Sequence, residues 1–205
     1  MKIRWIFFDV GSTLVDETLA YDHRAMDMLK NTNISFEKFD SKRRGLSELG
    51  YDGNSAAIKF FDLEKTPWHS EDEDIYSDAP HVLDELKKSG YNLGIIANQQ
   101  DGLEQRLAKW GILNYFDIII SSSEAGISKP DKRIFEKAIA KSKCSPAECV
   151  MIGDRLDNDI IPASEIGMKT IWIRHSLTPL QSDHIGYNYA NFIVYNLSKI
   201  CDILK

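Results

Sequence analysis

Cysteine is scarce in this 205-residue chain, which has three thiols: Cys144, Cys149 and Cys201. An odd count without zinc-type spacing excludes a disulfide framework and a thiolate zinc centre, and it points to reduced thiols in a cytoplasmic protein. Positive charge is also short, since 25 Lys and Arg against 31 Asp and Glu leave a formal net charge of −6. General nucleic-acid binding needs a basic face to displace phosphate counterions, so that class is excluded. The one compact basic cluster, Lys42-Arg43-Arg44, reads as a solvated helix face. Long apolar runs are missing. Nothing approaches the roughly 18 apolar residues of a membrane span. The N-terminal apolar stretch breaks at Asp9, too early for a secretory signal core. His23, His81, His175 and His184 share no spacing suited to a transition metal.

What is present is an ordinary globular composition, 43% hydrophobic and 27% charged, at a length that allows one domain with a modest insertion. Runs rich in β-branched and aromatic residues predict strands at 3–8, 92–97, 117–121, 149–153, 169–173 and 191–194. Helical spacing appears between them at 80–89 (Val82, Leu83, Leu86), 102–110 (Leu103, Leu107, Trp110), 131–141 (Ile134, Phe135, Ala138, Ile139) and 158–165. Gly90, Gly111 and Gly167 act as stops. Strand–helix alternation at this spacing predicts an α/β fold, with helices covering a parallel sheet joined by right-handed crossovers. Residues 17–78 break the alternation. Ala25, Met28, Leu29, Phe36, Phe39, Ala57, Phe60 and Phe61 give apolar helical patterns there with no convincing strand. The segment is too long for a simple crossover. The expected division is therefore a core of residues 1–16 and 79–205 with an all-helical insertion at 17–78. Thr66-Pro67-Trp68 and the acidic run at 70–74 lead back to the core, with Trp68 read as a packed anchor and His69 as a surface imidazole.

Several strands end in polar residues. Trp5-Ile-Phe-Phe-Asp9 runs into Val-Gly11-Ser-Thr13-Leu. A buried carboxylate is costly unless charge or hydrogen bonds compensate it, although a strand-end Asp also caps turns. The same form recurs in Ile95-Ile-Ala97-Asn98 and in Val150-Met-Ile-Gly153-Asp154-Arg-Leu-Asp157-Asn158-Asp159, with Ser128-Lys129-Pro130 between them. In an open parallel sheet, ligands collect at the carboxyl ends of strands beside the reversal of strand order. Asp9 and Asp154 brought together there would repel unless a cation lay between them. Asp157 reads as a helix N-cap.

These four segments, in this order, resemble the haloacid dehalogenase-like hydrolase superfamily over residues 2 to about 174. Asp-x-x-x-Thr-Leu at Asp9 and Gly-Asp-x-x-x-x-Asp at Asp154 are the specific elements. The resemblance implies a Rossmann-like three-layer core and a small helical cap inserted after the first strand. It implies Asp9 as a nucleophile that forms a covalent intermediate. Thr13 would orient the nucleophile or the turn, with a purely structural hydroxyl as the alternative. Asn98 would donate its side-chain amide to a phosphoryl or carboxylate oxygen. Lys129 would hold Asp9 ionised and neutralise phosphoryl oxygens. Mg²⁺ would take Asp9, the main-chain carbonyl of Gly11 and Asp154 as ligands, with Asp159 just outside or joined through water. The partner implied is a small phosphorylated molecule, not a nucleic acid or a membrane.

The chain departs from the family pattern at two places. Ala97 stands where family phosphatases carry Ser or Thr, and Gly11 stands where they carry a second Asp as general acid and base. A positioned acid–base group contributes ~10²–10⁴-fold. The metal ligand at position 11 survives because it is backbone. The expected function is a Mg²⁺-dependent phosphatase favouring good leaving groups or recruiting another acid, such as Asp16 or a residue of the insertion. The alternatives are a dehalogenase-type or phosphonate hydrolase and a catalytically degenerate metal-binding regulatory protein. On this reading Gly11→Asp should raise rates on alkyl phosphates.

Overall fold

The computed structural model describes residues 2–175 and 188–204, so His184 lies outside the described residues. The chain enters as β1 (Trp5–Phe8), turns through residues 9–14 and forms the short β2 (Val15–Asp16). Three helices follow: α1 (Thr18–Leu29), α2 (Phe36–Glu48) and α3 (Gly53–Phe60). The return is β3 (Asp74–Ile75), antiparallel to β2. Next come α4 (Ala79–Lys88), β4 (Asn92–Ala97), α5 (Leu103–Lys109), β5 (Ile118–Ser121), α6 (Ser122–Ala125), α7 (Lys132–Ser142) and β6 (Cys149–Gly153). One turn of π-helix at Leu156–Ile160 leads into α8 (Ile161–Glu165), β7 (Lys169–Ile173), β8 (Phe192–Val194) and α9 (Ser198–Ile203).

Six strands form one sheet in the order β5-β4-β1-β6-β7-β8, and every pairing is parallel. β1 lies inside the sheet with Phe8 opposite Ile95 of β4 and Ile152 of β6. The chain moves outward from β1 to β4 and β5, then crosses back to β6 on the other side. That reversal opens a crevice at the carboxyl end of β1. Side chains alternate along β1, as the two-residue period of a strand requires. Ile6 and Phe8 join Val82, Leu83, Leu86, Leu103 and Leu107 on one face, while Trp5 and Phe7 join Ile134, Phe135 and Ala138 on the other. The result is the three-layer α/β fold expected from the alternation. No helix among the described residues is long and apolar enough to cross a membrane.

The α1–α3 segment has its own apolar cluster of Ala25, Met28, Leu29, Phe39, Ala57 and Ile58. Ser35 caps α2 through Lys38 N, and Asp52 caps α3 through Ser55 N. The basic cluster is not a solvated face. Arg43 is buried, with Nε 2.6 Å from Asp40, Nη2 2.5 Å from Asp22 and Nη1 3.3 Å from Asn54. Residues contiguous in sequence point to different sides of a helix, so Arg44 stays on the surface while Arg43 turns inward. Trp68 is a packed anchor, donating Nε1 to Glu73 at 2.6 Å and meeting the Tyr21 ring edge-on. His69 is not a free surface imidazole, because it bonds Asp27 at 2.7 Å and Glu71 at 3.1 Å and stacks on His23. Residues 158–165 are not one regular helix either. The π turn ahead of α8 inserts an extra residue, which returns the Asp159 side chain toward the sheet.

Arg43→Met should lower stability by about 2–3 kcal/mol, since Asp22 and Asp40 would lose their shared cation while keeping partial access to water. Urea unfolding measures this. An unchanged midpoint would mean that the guanidinium is effectively solvated.

Candidate active site

Asp9 is the first residue beyond β1, and its N–H still donates to Ile152 O at 2.9 Å. Asp154 is the first residue beyond β6, and its carbonyl accepts from Trp172 Nε1 at 2.7 Å. Neighbouring strands thus deliver two carboxylates to one edge of the sheet. Lys129 arrives from the loop between α6 and α7. Its backbone is clamped by Asn98, which accepts from Lys129 N at 2.7 Å and donates to Lys129 O at 2.9 Å. The Lys129 Nζ then donates to Asp9 Oδ1 at 2.7 Å and to Asp159 Oδ1 at 2.6 Å. The lysine is buried, unlike most lysines.

The charges are tightly balanced. Burial alone would lower the Lys129 pKa, but the charges of Asp159 and Asp9 and the bonds to both outweigh it and leave the ammonium firmly protonated. Burial pushes Asp159 up to about 6 against the pull of Lys129. Its second oxygen accepts from Arg155 N at 3.0 Å. Asp154 is buried too, and no hydrogen bond reaches its carboxylate among the described residues. Burial first, then the charges of Asp159 and Asp9, hold its pKa well above the usual carboxylate range. Asp9, Asp154 and Asp159 bring oxygens within 4.8 Å of one another. One ammonium does not neutralise three carboxylates.

Two glycines make room for side chains from further along the chain. A Cβ on Gly153 would lie 2.4 Å from Asp159 Cγ, so any larger residue would displace that carboxylate. A Cβ on Gly11 would lie 2.5 Å from both carboxylate oxygens of Glu17. Glu17 is only 9% exposed. Burial first, then the charge of Asp9, pushes its pKa up to about 8. Ser12, which holds the turn at φ 53°, donates to Glu17 Oε2 at 3.4 Å. Gly11→Asp would therefore have to push the Glu17 carboxyl aside and would set two carboxyls against each other. Sequence reasoning missed Glu17 because a tight turn, not a periodicity, brings it back to position 11.

Other expected residues are placed differently from their sequence readings. Asp16 accepts from Thr18 N at 2.9 Å, so one of its oxygens caps the entry to α1. Asn98 turns both ends of its amide to the Lys129 main chain, which makes it a positioning residue for that lysine, while its second Nδ2 hydrogen is not used by that contact. Thr13 is buried, and its hydroxyl finds no hydrogen-bond partner among the described residues, so it does not orient Asp9. Asp157 is not an N-cap, since the Arg155 guanidinium holds it at 2.7 and 3.1 Å. Arg155 also reaches Asp52 at 2.9 Å, tying the site loop to the start of α3.

A cleft of about 600 Å³ lies between the helical segment and the core, lined by Glu17, Tyr21, Arg24, Trp68, Asn98 and Arg106 among others. Asp9 is not in its lining, and Glu17 and Asn98 connect the two. A second metal-competent group, His23, Asp27 and His69, lies in the helical segment. Its two imidazoles are stacked 3.6 Å apart at 10°, so their in-plane lone pairs run parallel and do not converge on one ion.

A parallel α/β core with carboxylates from two adjacent strand ends gathered around a buried lysine defines a hydrolase of the haloacid dehalogenase-like class. Residues 6–173 match the family model for haloacid dehalogenase-like hydrolases, and the protein belongs to that family. Glyceraldehyde 3-phosphate phosphatase of Methanothermobacter thermautotrophicus is 34% identical over 125 residues, which are 60% of this chain and 55% of that protein. The chain thus spans about half the length of that relative. The enzyme of the same name from Pyrococcus furiosus is 27% identical, across 100% of this chain and 94% of its own. The crystal structure of a HAD phosphatase from Thermococcus onnurineus aligns at a TM-score of 0.66 and 26% identity, over 100% of this chain and 98% of that one.

The raised carboxyl pKa values predict a pH dependence in metal-free buffer. The native state keeps protons on these two groups that the unfolded chain releases, so their contribution to stability is fully present below the ordinary Asp value of 3.8 and is lost as pH rises through about 6 and beyond. Asp154→Asn should therefore raise the melting temperature in EDTA at pH 7.5. A lower melting temperature would contradict an uncompensated charge at Asp154.

Proposed function

We propose that the protein is a Mg²⁺-dependent phosphatase acting on a small phosphorylated metabolite through a covalent intermediate on Asp9, with residues 17–78 as a cap that closes over the site. The observation that carries this reading is the Lys129 ammonium, bonded at once to Asp9 and Asp159 beside the bare carboxylate of Asp154. Asp9 Oδ1 is occupied by Lys129, and no hydrogen bond reaches Oδ2 among the described residues. That second oxygen is the natural nucleophile. Lys129 keeps Asp9 ionised and offers positive charge to phosphoryl oxygens.

The donor set fits a hard cation, because every candidate ligand is oxygen and the buried Asp154 carboxylate lacks any other partner. Asp9, Asp154 and the Gly11 carbonyl would hold Mg²⁺, with Asp159 behind them, engaged by Lys129 and the Arg155 amide. When bound, the ion supplies charge neutralisation between the phosphoryl oxygens and Asp9. The reaction then divides into two steps. Asp9 attacks phosphorus and releases the alcohol, and water hydrolyses the resulting aspartyl phosphate to restore Asp9. Two relatives named for glyceraldehyde 3-phosphate support a small phosphorylated substrate.

Turnover of p-nitrophenyl phosphate that disappears with EDTA and returns with Mg²⁺ is the expected result. Asp9→Asn should lose ~10³-fold or more while remaining folded. Halide release without metal, or metal binding without turnover on a panel of phosphorylated metabolites, would overturn the reading.

A further inference from the structure

We propose that Glu17 is the acid–base residue of this site, its carboxyl group brought from the N-terminus of α1 into the volume that Gly11 leaves open. The proposal rests on the phosphatase reading above and supplies the proton transfer that a glycine at position 11 cannot perform.

The geometry argues for replacement and against coincidence. A Cβ built on Gly11 would fall 2.6 Å from Glu17 Cδ and 2.5 Å from each of its oxygens. The Glu17 carboxyl thus fills the space where a side chain of residue 11 would begin. That position is two residues beyond Asp9, on the turn that follows the nucleophile. No structural duty explains the placement. Glu17 is the N-cap residue of α1, yet its side chain makes no capping bond, and Asp16 takes the Thr18 amide instead. No cation pairs with Glu17 among the described residues, and the one hydrogen bond to its carboxyl group there is the 3.4 Å contact from Ser12. A buried carboxyl with so little compensation costs stability. Glu17 also lines the cleft between the helical segment and the core, where a leaving group would sit.

The step balances. As an Asp9 oxygen bonds to phosphorus, the bond from phosphorus to the leaving oxygen breaks and that oxygen takes the electron pair. The Glu17 carboxyl gives it a proton and becomes a carboxylate. The carboxylate then takes a proton from water as the water oxygen bonds to phosphorus. The phosphorus–Asp9 bond breaks, releasing inorganic phosphate and restoring both carboxyl groups to their starting states.

Leaving-group dependence with Glu17→Gln is the test. The variant should lose ~10²–10⁴-fold on alkyl phosphates, whose alkoxide needs a proton. On p-nitrophenyl phosphate it should give a burst of about one equivalent of nitrophenol, because the first step needs no acid while the second is slowed. A double variant, Gly11→Asp with Glu17→Ala, returns the carboxyl to position 11 and should recover alkyl phosphate turnover, whereas Gly11→Asp alone should not. Equal losses on alkyl and aryl substrates without a burst would overturn the proposal, as would a double variant no better than Glu17→Ala. If Glu17→Gln does not fold, the double variant decides by itself. No turnover by the wild type on either substrate class would instead sink the phosphatase reading, and the proposal with it.

Discussion

The Lys129 ammonium, held between Asp9 and Asp159 at 2.7 and 2.6 Å, is the contact around which the rest of the site is arranged. Removing one partner of a buried ion pair is far costlier than never having built it, because the survivor remains desolvated and unpaired. The surrounding structure is correspondingly specific. Asn98 fixes the Lys129 main chain from the end of β4, and the π turn swings Asp159 back behind it. The arrangement still leaves the Asp154 carboxylate without a hydrogen bond among the described residues and the cluster short of positive charge. Under the reading proposed above, a divalent cation would make good that shortage and so admit an anionic phosphoryl group.

Both glycines at the site work by the same device. Gly153 and Gly11 each leave space at the end of a central strand, and a carboxyl from six residues downstream fills it, Asp159 in one case and Glu17 in the other. A side chain supplied from a turn or helix can be exchanged without altering the strand that carries the nucleophile. The missing acid at position 11 is thus a change in where a carboxyl originates. Glu17 opens the segment that carries α1–α3, so motion of that segment would move the acid with it.

The sheet was legible because its strands are short apolar runs bounded by glycine and polar residues, and five parallel pairings follow from their alternation with helices. The meeting of Asp9 and Asp154 was legible as well, since strand ends in a parallel sheet share one edge, while Lys129 and Asp159 were placed beside them by the family resemblance. What escaped was set by local geometry that no periodicity encodes. Arg43 faces inward because of its helical phase, and Asp157 belongs to Arg155 because the π turn changes which residues cap. Asn98 supports Lys129 because the loop before α7 folds over the end of β4. Glu17 reaches position 11 only through the turn at Ser12, whose positive φ a non-glycine residue rarely reveals in sequence.

Anomalous diffraction from crystals soaked in Mn²⁺, used in place of Mg²⁺, tests the central claim most directly. The account predicts one ion bound by carboxylate oxygens of Asp9 and Asp154, with Lys129 still bonded to Asp9 and Asp159. An anomalous peak confined to some other part of the molecule, or a site that stays free of metal while Asp154 gains a protein partner, would contradict it.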